Sequence, residues 1–363
     1  MIFEKHPKSI IIALSTIIFA TMVALLVFAL RINILQDHEN GERYSVADQL
    51  KYSIRCNNRR YIKLRENYPN QNRLMFPSAK YETLEHKEYL MRTDKDGIIE
   101  PSFIHKKPDL QMFFIGGSTT ECETVDEGFR FPYLSGRILE EKTGLKINSD
   151  NAARSGNNSL HSINIVINKL LPYNPDMIVM MHNINDLSTL IYEGSYWNNN
   201  KSKSHLVCTH KNTKQLIRGD EWSNSIWQKK VLESKKEQKE LLKKYKNNLS
   251  LFVHIARSNN IIPVLMTQPN RIEKVEDFTT GRSVEFSEVY KDLYIRFNQE
   301  IRQFGKENNV LIIDLANHVP GDKDYIYDQI HMNKKGSVMV SKKIASDISS
   351  YLKKIGYSTN LNK

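Results

Sequence analysis

The chain has 363 residues, 40% of them hydrophobic, enough to bury one substantial core plus an accessory region. Its formal net charge is +11, yet the basic residues are scattered and form no zinc-ligand spacing and no aromatic-basic RNA motif, so nucleic acid is not an expected partner. Three cysteines, Cys56, Cys122 and Cys208, exclude a disulfide framework and a Cys-rich metal site, and an anionic lipid or acidic glycan suits the charge at least as well.

Residues Ile10 to Leu30 read IIIALSTIIFATMVALLVFAL, an uncharged run matching the ~20 residues that cross a bilayer as a helix. It reads as a retained membrane anchor rather than a cleaved signal peptide, because its apolar core is longer than an h-region and no A-x-A-like site precedes Arg31. Lys5 and Lys8 precede it, and Arg31 and Arg43 follow at similar density, a weak bias toward a cytoplasmic N-terminus. The expected division is a tail and anchor over 1–32, a polar juxtamembrane approach over 33–107, and a main domain over 108–357 lying outside the cytoplasm. In the approach segment, Tyr89 to Thr93 can pair as an edge strand and Asp94 to Gly97 is a turn signal.

The main domain opens on DLQMFFIGGSTT, Asp109 to Thr120. Met112 to Ile115 has the apolar continuity of a strand buried on both faces, and Gly116-Gly117 breaks it before three hydroxyl residues. A helix starting at Ser118 would aim free N–H groups at an incoming oxyanion; taken alone, the stretch also reads as a Gly-rich turn with a Ser/Thr cap. A helix follows from Phe131 to Lys142, with Pro132 in its first turn and Gly144 at its stop. Lys146 to Asn148 is a short strand leading into NAARSG, Leu160 to Leu171 a helix, and Asp176 to Met181 a second fully apolar strand ending at HNIND. A polar insertion at about 192–230 is a disordered excursion or a lid over the site. Beyond it come a helix from Glu233 to Ser258, a strand from Ile261 to Met266, a helix from Tyr290 to Lys306, a strand from Val310 to Asp314 and a helix from Lys334 to Lys354. Strands alternating with helices mean right-handed crossovers and a parallel sheet of about five strands.

Four polar landmarks fall at or just after strand ends: Ser118, Gly156, Asn185, and Asp328 with His331. A serine hydroxyl needs a base to take its proton, and histidine titrates near neutral pH. Asp328, three residues before His331, can share a face with it and hold the ring in one tautomer. Backbone N–H groups at Ser118 and Gly156 with the Asn185 amide would form an oxyanion hole. Four further histidines, His161, His182, His254 and His318, have no partner at useful spacing and read as structural. Cys122 reads as packing against the sheet and Asp314 as a cap.

The blocks GGSTT, NAARSGNNS, NIND and DQIHMNKKG resemble those of the SGNH hydrolases, also called GDSL esterases, over Asp109 to about Leu190 and from Tyr325 to about Ile348. The resemblance implies a three-layer α/β/α sandwich of flavodoxin-like kind, Ser118 as nucleophile, His331 as base, Asp328 as its partner, and Gly156 and Asn185 completing the hole. Two positions depart from the pattern: Asn183 stands where Gly begins the third block, adding bulk beside the site, and Ala153 where Gly is frequent. Three functions follow: an extracytoplasmic serine esterase removing acyl groups from a glycan or lipid, an O-acyltransferase of a cell-surface polysaccharide using the same residues, or a non-catalytic glycan-binding or assembly subunit. No cofactor and no metal are expected, since GGSTT lacks G-x-G-x-x-G and the P-loop lysine, and no His/Asp/Glu cluster has ligand spacing.

Overall fold

Four short runs rich in Met, Ile, Val, Leu and Phe, with the more polar edge strand INSDN, form one parallel sheet, because a strand covered by helices on both faces must be apolar at consecutive positions. A computed structural model describes residues 64–198, 203, 227–272 and 284–357, together with 19, 21–23, 61–62 and 206–207. Of two compact units, one (1–61 with 208–213) lies almost wholly outside the described residues, and everything below belongs to the other, 62–207 with 214–363. The expected anchor at 10–30 also lies outside them, apart from residues 19 and 21–23. Among the described residues no helix is long and apolar enough to cross a membrane.

An antiparallel pair, β1 (Asn72–Met75) and β2 (Tyr89–Arg92), precedes the sheet. The sheet strands are β3 (Leu110–Gly116), β4 (Ile147–Asn151), β5 (Met177–Met181), β6 (Ile262–Met266) and β7 (Leu311–Ile313). Their spatial order is β4-β3-β5-β6-β7, all pairs parallel. Renumbered within the sheet this is 2-1-3-4-5, the flavodoxin-like order, in which ligands bind beyond the carboxyl ends where the winding reverses. That point lies between β3 and β5, where Gly116 pairs with Met181.

Alternation along β3 divides the core. Phe113 and Ile115 pack with α3 (Ser159–Ile165), α4 (Ile184–Glu193), α5 (Lys235–Ser258) and α6 (Val284–Asn308). Met112 and Phe114 pack on the other side with α2 (Phe131–Thr143) and α8 (Lys334–Lys354), so the unit is an α/β/α sandwich. Two further helices are single turns, α1 (Ser118–Glu121) and α7 (Leu315–His318). Residues 64–107 lie in the same unit, with Tyr89, Met91, Ile98 and Ile99 buried in it. The expected turn at Asp94–Gly97 is closed by the Gly97 N–H on Asp94 O (3.0 Å), with Gly97 at φ +73.

Several boundaries differ from the sequence reading. β4 extends to Asn151, and the helix expected from Leu160 to Leu171 is α-helical only to Ile165, then widens over 166–170 and tightens over 171–173. Pro172 supplies the reason, since it cannot donate within a helix and its ring crowds the carbonyl four residues back.

Candidate active site

Each group sits where a strand or a tight turn delivers it. β3 ends at Gly116, Gly117 follows at φ −94 and ψ −156, and Ser118 opens α1. The helix is one turn long, so the donors here are individual N–H groups rather than a summed dipole, and no described group accepts from the Ser118 N–H. Gly117, not Ser118, takes the cap position, which leaves the serine hydroxyl free for another bond.

That bond is to histidine: Ser118 Oγ lies 2.7 Å from His331 Nε2. On the far side of the ring, His331 Nδ1 is 2.7 Å from Asp328 Oδ2. The segment before α8 is built to hold this pair. Asp328 Oδ1 accepts the backbone N–H groups of Ile330 (2.9 Å) and His331 (2.7 Å), and the Tyr327 N–H donates to His331 O (2.9 Å). Burial opposes a charge on Asp328, but the hydrogen bonds and charge of His331 outweigh it and hold the carboxyl below the usual range. A charged Asp328 keeps the proton of neutral His331 on Nδ1 and leaves Nε2 to accept from Ser118. Tyr327, which the sequence reading passed over, stacks on the His331 ring (centroids 5.8 Å apart, planes at 18°) and packs edge-on against Tyr81.

Asn185, in the first turn of α4, donates through Nδ2 to Asn157 O (2.8 Å) and stands directly over Gly117. A Cβ on Gly117 would lie 2.3 Å from that Nδ2, so the amide occupies the space a side chain beside Ser118 would need. Gly156 lies in an exposed turn, at φ +76, and no described group accepts from its N–H. The turn is tied to the nucleophile strand by the Arg154 N–H on Gly116 O (3.2 Å).

Around the site, some expectations change. Asn183, expected to add bulk beside the site, has φ −162 and ψ −71, and its amide turns away to donate to Tyr294 O (2.9 Å), so it does not crowd Ser118. His182 has partners after all: its Nε2 lies 2.7 Å from Ser162 Oγ and its Nδ1 3.6 Å from Asp186. This group is fully enclosed, and burial pushes His182 down to about 3, so a neutral ring serves the interior. Asp314 takes the cap position of α7 as expected, but its carboxylate, instead of bonding the helix N–H groups, receives Arg302 through two nitrogens (2.8 and 2.9 Å) and the Thr267 hydroxyl (2.8 Å). Gln268 lies behind the site, donating to Thr119 Oγ1 (2.8 Å) and accepting from the Ile184 N–H (2.9 Å). Cys122 is buried in the core as expected, and burial pushes its thiol up to about 12.

Sequence reasoning missed Glu121, a fully buried carboxylate three residues past Ser118 that accepts the Ser155 N–H. It also missed Glu85, His86 and Asp126, which spacing cannot group but whose ligand-type atoms all lie within 4.8 Å of one another at the surface. Their side chains are already engaged, His86 with Asp126 (3.2 Å) and Glu85 with Lys334 (2.9 Å).

Comparison with known proteins shows the family. The model of the GDSL-like Lipase/Acylhydrolase family matches residues 114–338. The chain belongs to that family. Its members act on ester bonds, and this GDSL-family chain is accordingly an ester hydrolase by kind. No curated protein matches it. Similar solved structures include a GDSL-like lipase from Bacteroides thetaiotaomicron (12% identity, 68% of this chain and 89% of that one, TM-score 0.39). A catalytic mutant of an acetylxylan esterase from Geobacillus stearothermophilus is 14% identical over 70% of this chain and 97% of that one, with a TM-score of 0.42. At such scores neither likeness adds to what the strand order and the family already establish.

Proposed function

We propose that the chain is a serine esterase that removes acyl groups from a glycan or lipid outside the cytoplasm, held to the membrane through residues 10–30. The observation that carries the catalytic reading is the unbroken line Ser118–His331–Asp328, with both contacts at 2.7 Å. A serine paired with a histidine that is itself oriented by a half-buried, low-pKa carboxylate is an activated nucleophile. Ser118 Oγ attacks the acyl carbonyl as its proton passes to His331 Nε2, forming a tetrahedral intermediate. The N–H groups of Ser118 and Gly156 and the free N–H of the Asn185 amide receive its oxyanion. The intermediate collapses to an acyl-serine, the leaving alcohol takes the proton from Nε2, and water, deprotonated by the same nitrogen, completes hydrolysis. The uncharged run at 10–30 and the basic surface support the membrane and anionic-substrate parts of the reading.

The Ser118–His331 contact also speaks against a non-catalytic role, which an averted histidine would have favoured. The test is labelling of the full chain with a fluorophosphonate probe followed by peptide mass spectrometry. Labelling is expected at Ser118, with loss in Ser118→Ala and a fall of at least a hundredfold in His331→Ala. An unlabelled, well-folded wild-type chain would defeat the reading. Product analysis with an added sugar acceptor then separates water from a hydroxyl as the second nucleophile.

A further inference from the structure

Glu121 is 0% exposed and lies on the same helical turn as the nucleophile. Its Oε2 accepts the Ser155 N–H at 2.5 Å, and its Oε1 is 3.3 Å from the Arg73 guanidinium, delivered from the outer hairpin strand β1. Burying a carboxylate this completely is costly unless its oxygens are engaged, and one of them is spent on a backbone N–H that exposed Ser155 could have given to water.

The place of that N–H explains the expense. Arg154 to Asn157 form a turn closed by the Asn157 N–H on Arg154 O (3.1 Å), with positive φ only at Gly156, which makes it type II. Ser155 and Gly156 are its central residues, and the peptide joining them carries the Gly156 N–H. Flipping that peptide would convert the turn and reverse the donor. Three other bonds hold the ends of the segment: Asn67 Nδ2 on Ala153 O and Asn157 Nδ2 on Arg65 O, both 2.9 Å, and the Arg154 N–H on Gly116 O (3.2 Å). Glu121 differs from these because it reaches a central residue of the turn, Ser155, from the helical turn that opens on Ser118.

We infer that Glu121, steadied by Arg73, is a positioning residue that fixes the Gly156 N–H relative to Ser118 and so sets the oxyanion hole. The inference rests on the esterase reading above and deepens it. Either protonation state of the carboxyl can accept from Ser155, so acceptance rather than charge is the working property. Glu121→Gln keeps the acceptor, while Glu121→Leu keeps the volume and removes it.

The experiment measures kcat and KM of the full chain on 4-nitrophenyl acetate, inhibition by an aryl trifluoromethyl ketone, whose adduct carries the oxyanion, and the urea midpoint. Glu121→Gln is expected within about threefold of wild type in kcat. Glu121→Leu is expected to lose at least tenfold in kcat, approaching the ~10²–10³ of a deleted donor, with KM within about twofold. Its ketone affinity is expected to fall by the same factor as kcat, with the urea midpoint unchanged or higher, because the exposed Ser155 N–H can turn to water and leucine suits a fully buried position. Should Leu prevent folding, Glu121→Met puts the same question with an unbranched chain. Full kcat in Glu121→Leu, equal damage in Glu121→Gln, or a loss shared equally by KM would overturn the positioning role while the wild type stays active. A wild type that neither turns over the ester nor takes a fluorophosphonate at Ser118 would instead defeat the esterase reading and this inference with it.

Discussion

At the scale of single residues, the site depends on a side chain that is missing as much as on those present. Gly117 has φ and ψ that alanine can adopt, so its need is not conformational. Its need is space: a Cβ there would meet Asn185 Nδ2 at 2.3 Å and Asn157 O at 3.1 Å. Gly117→Ala is therefore expected to fold with a near-normal urea midpoint and to lose ~10²–10³ in kcat, as Asn185→Ala should, because both displace the same donor. Full activity in Gly117→Ala would show that the amide does not serve the oxyanion. Glu121 offers a second prediction, through pH. Its burial, and Glu123 beside it, outweigh Arg73 and the Ser155 N–H and raise the carboxyl from 4.5 to about 8. The folded chain thus keeps a proton that the unfolded chain releases between these values, so this group lowers stability as pH rises through that window. Glu121→Gln does not titrate. Its urea midpoint should gain on wild type steadily from about pH 5 to 8 and then hold, and a gap constant with pH would show that the carboxyl does not titrate as its surroundings imply.

At the scale of elements, legibility followed burial and capping. The strands β3, β5 and β6 could be read because helices cover both faces and the side chains are apolar at nearly every position. α8 was readable to its ends, since Asn333 accepts from the Gly336 N–H to start it. The bond from His331 to Asp328 was readable for the same local reason, a three-residue span closed by a turn. What escaped was non-local or contrary to type. β1 is four residues with alternating exposure, too short to show a period, and its partner β2 lies on the far side of a loop. Glu121 in STTE reads as a solvated carboxylate, and nothing local says that Arg73, forty-eight positions earlier, will cover it. Ser162 and His182 likewise come from separate elements, and their contact needs the sheet to exist first. The nucleophile, base and acid were visible because chemistry restricts their types, whereas the residues that hold them are restricted only by the finished fold.

At the scale of the molecule, the family match begins at residue 114, yet the folding unit begins earlier. Arg130, 1% exposed, donates to Leu90 O (2.6 Å), Glu100 O (2.9 Å) and Val125 O (3.2 Å), so a buried cation ties the outer hairpin to the core. Residues 99–105 run beside β4, at the edge of the sheet. The Ile99 N–H donates to Asn151 O (2.9 Å), the Phe103 N–H to Asp150 Oδ1 (2.8 Å) and the His105 N–H to Asn148 Oδ1 (2.9 Å). They cover an edge that would otherwise offer unpaired backbone groups to another chain. Removing everything before residue 108 would uncover that edge, leave Arg130 buried with only one of its three acceptors, and strip Met91, Ile98 and Ile99 from the core. A fragment from residue 62 should retain a single cooperative urea transition and Ser118 labelling, while one from residue 108 should aggregate or unfold without a transition. A fragment from 108 that keeps the longer fragment's midpoint would mean that the hairpin and edge segment only decorate the domain, and the Arg73–Glu121 contact could then not govern the site.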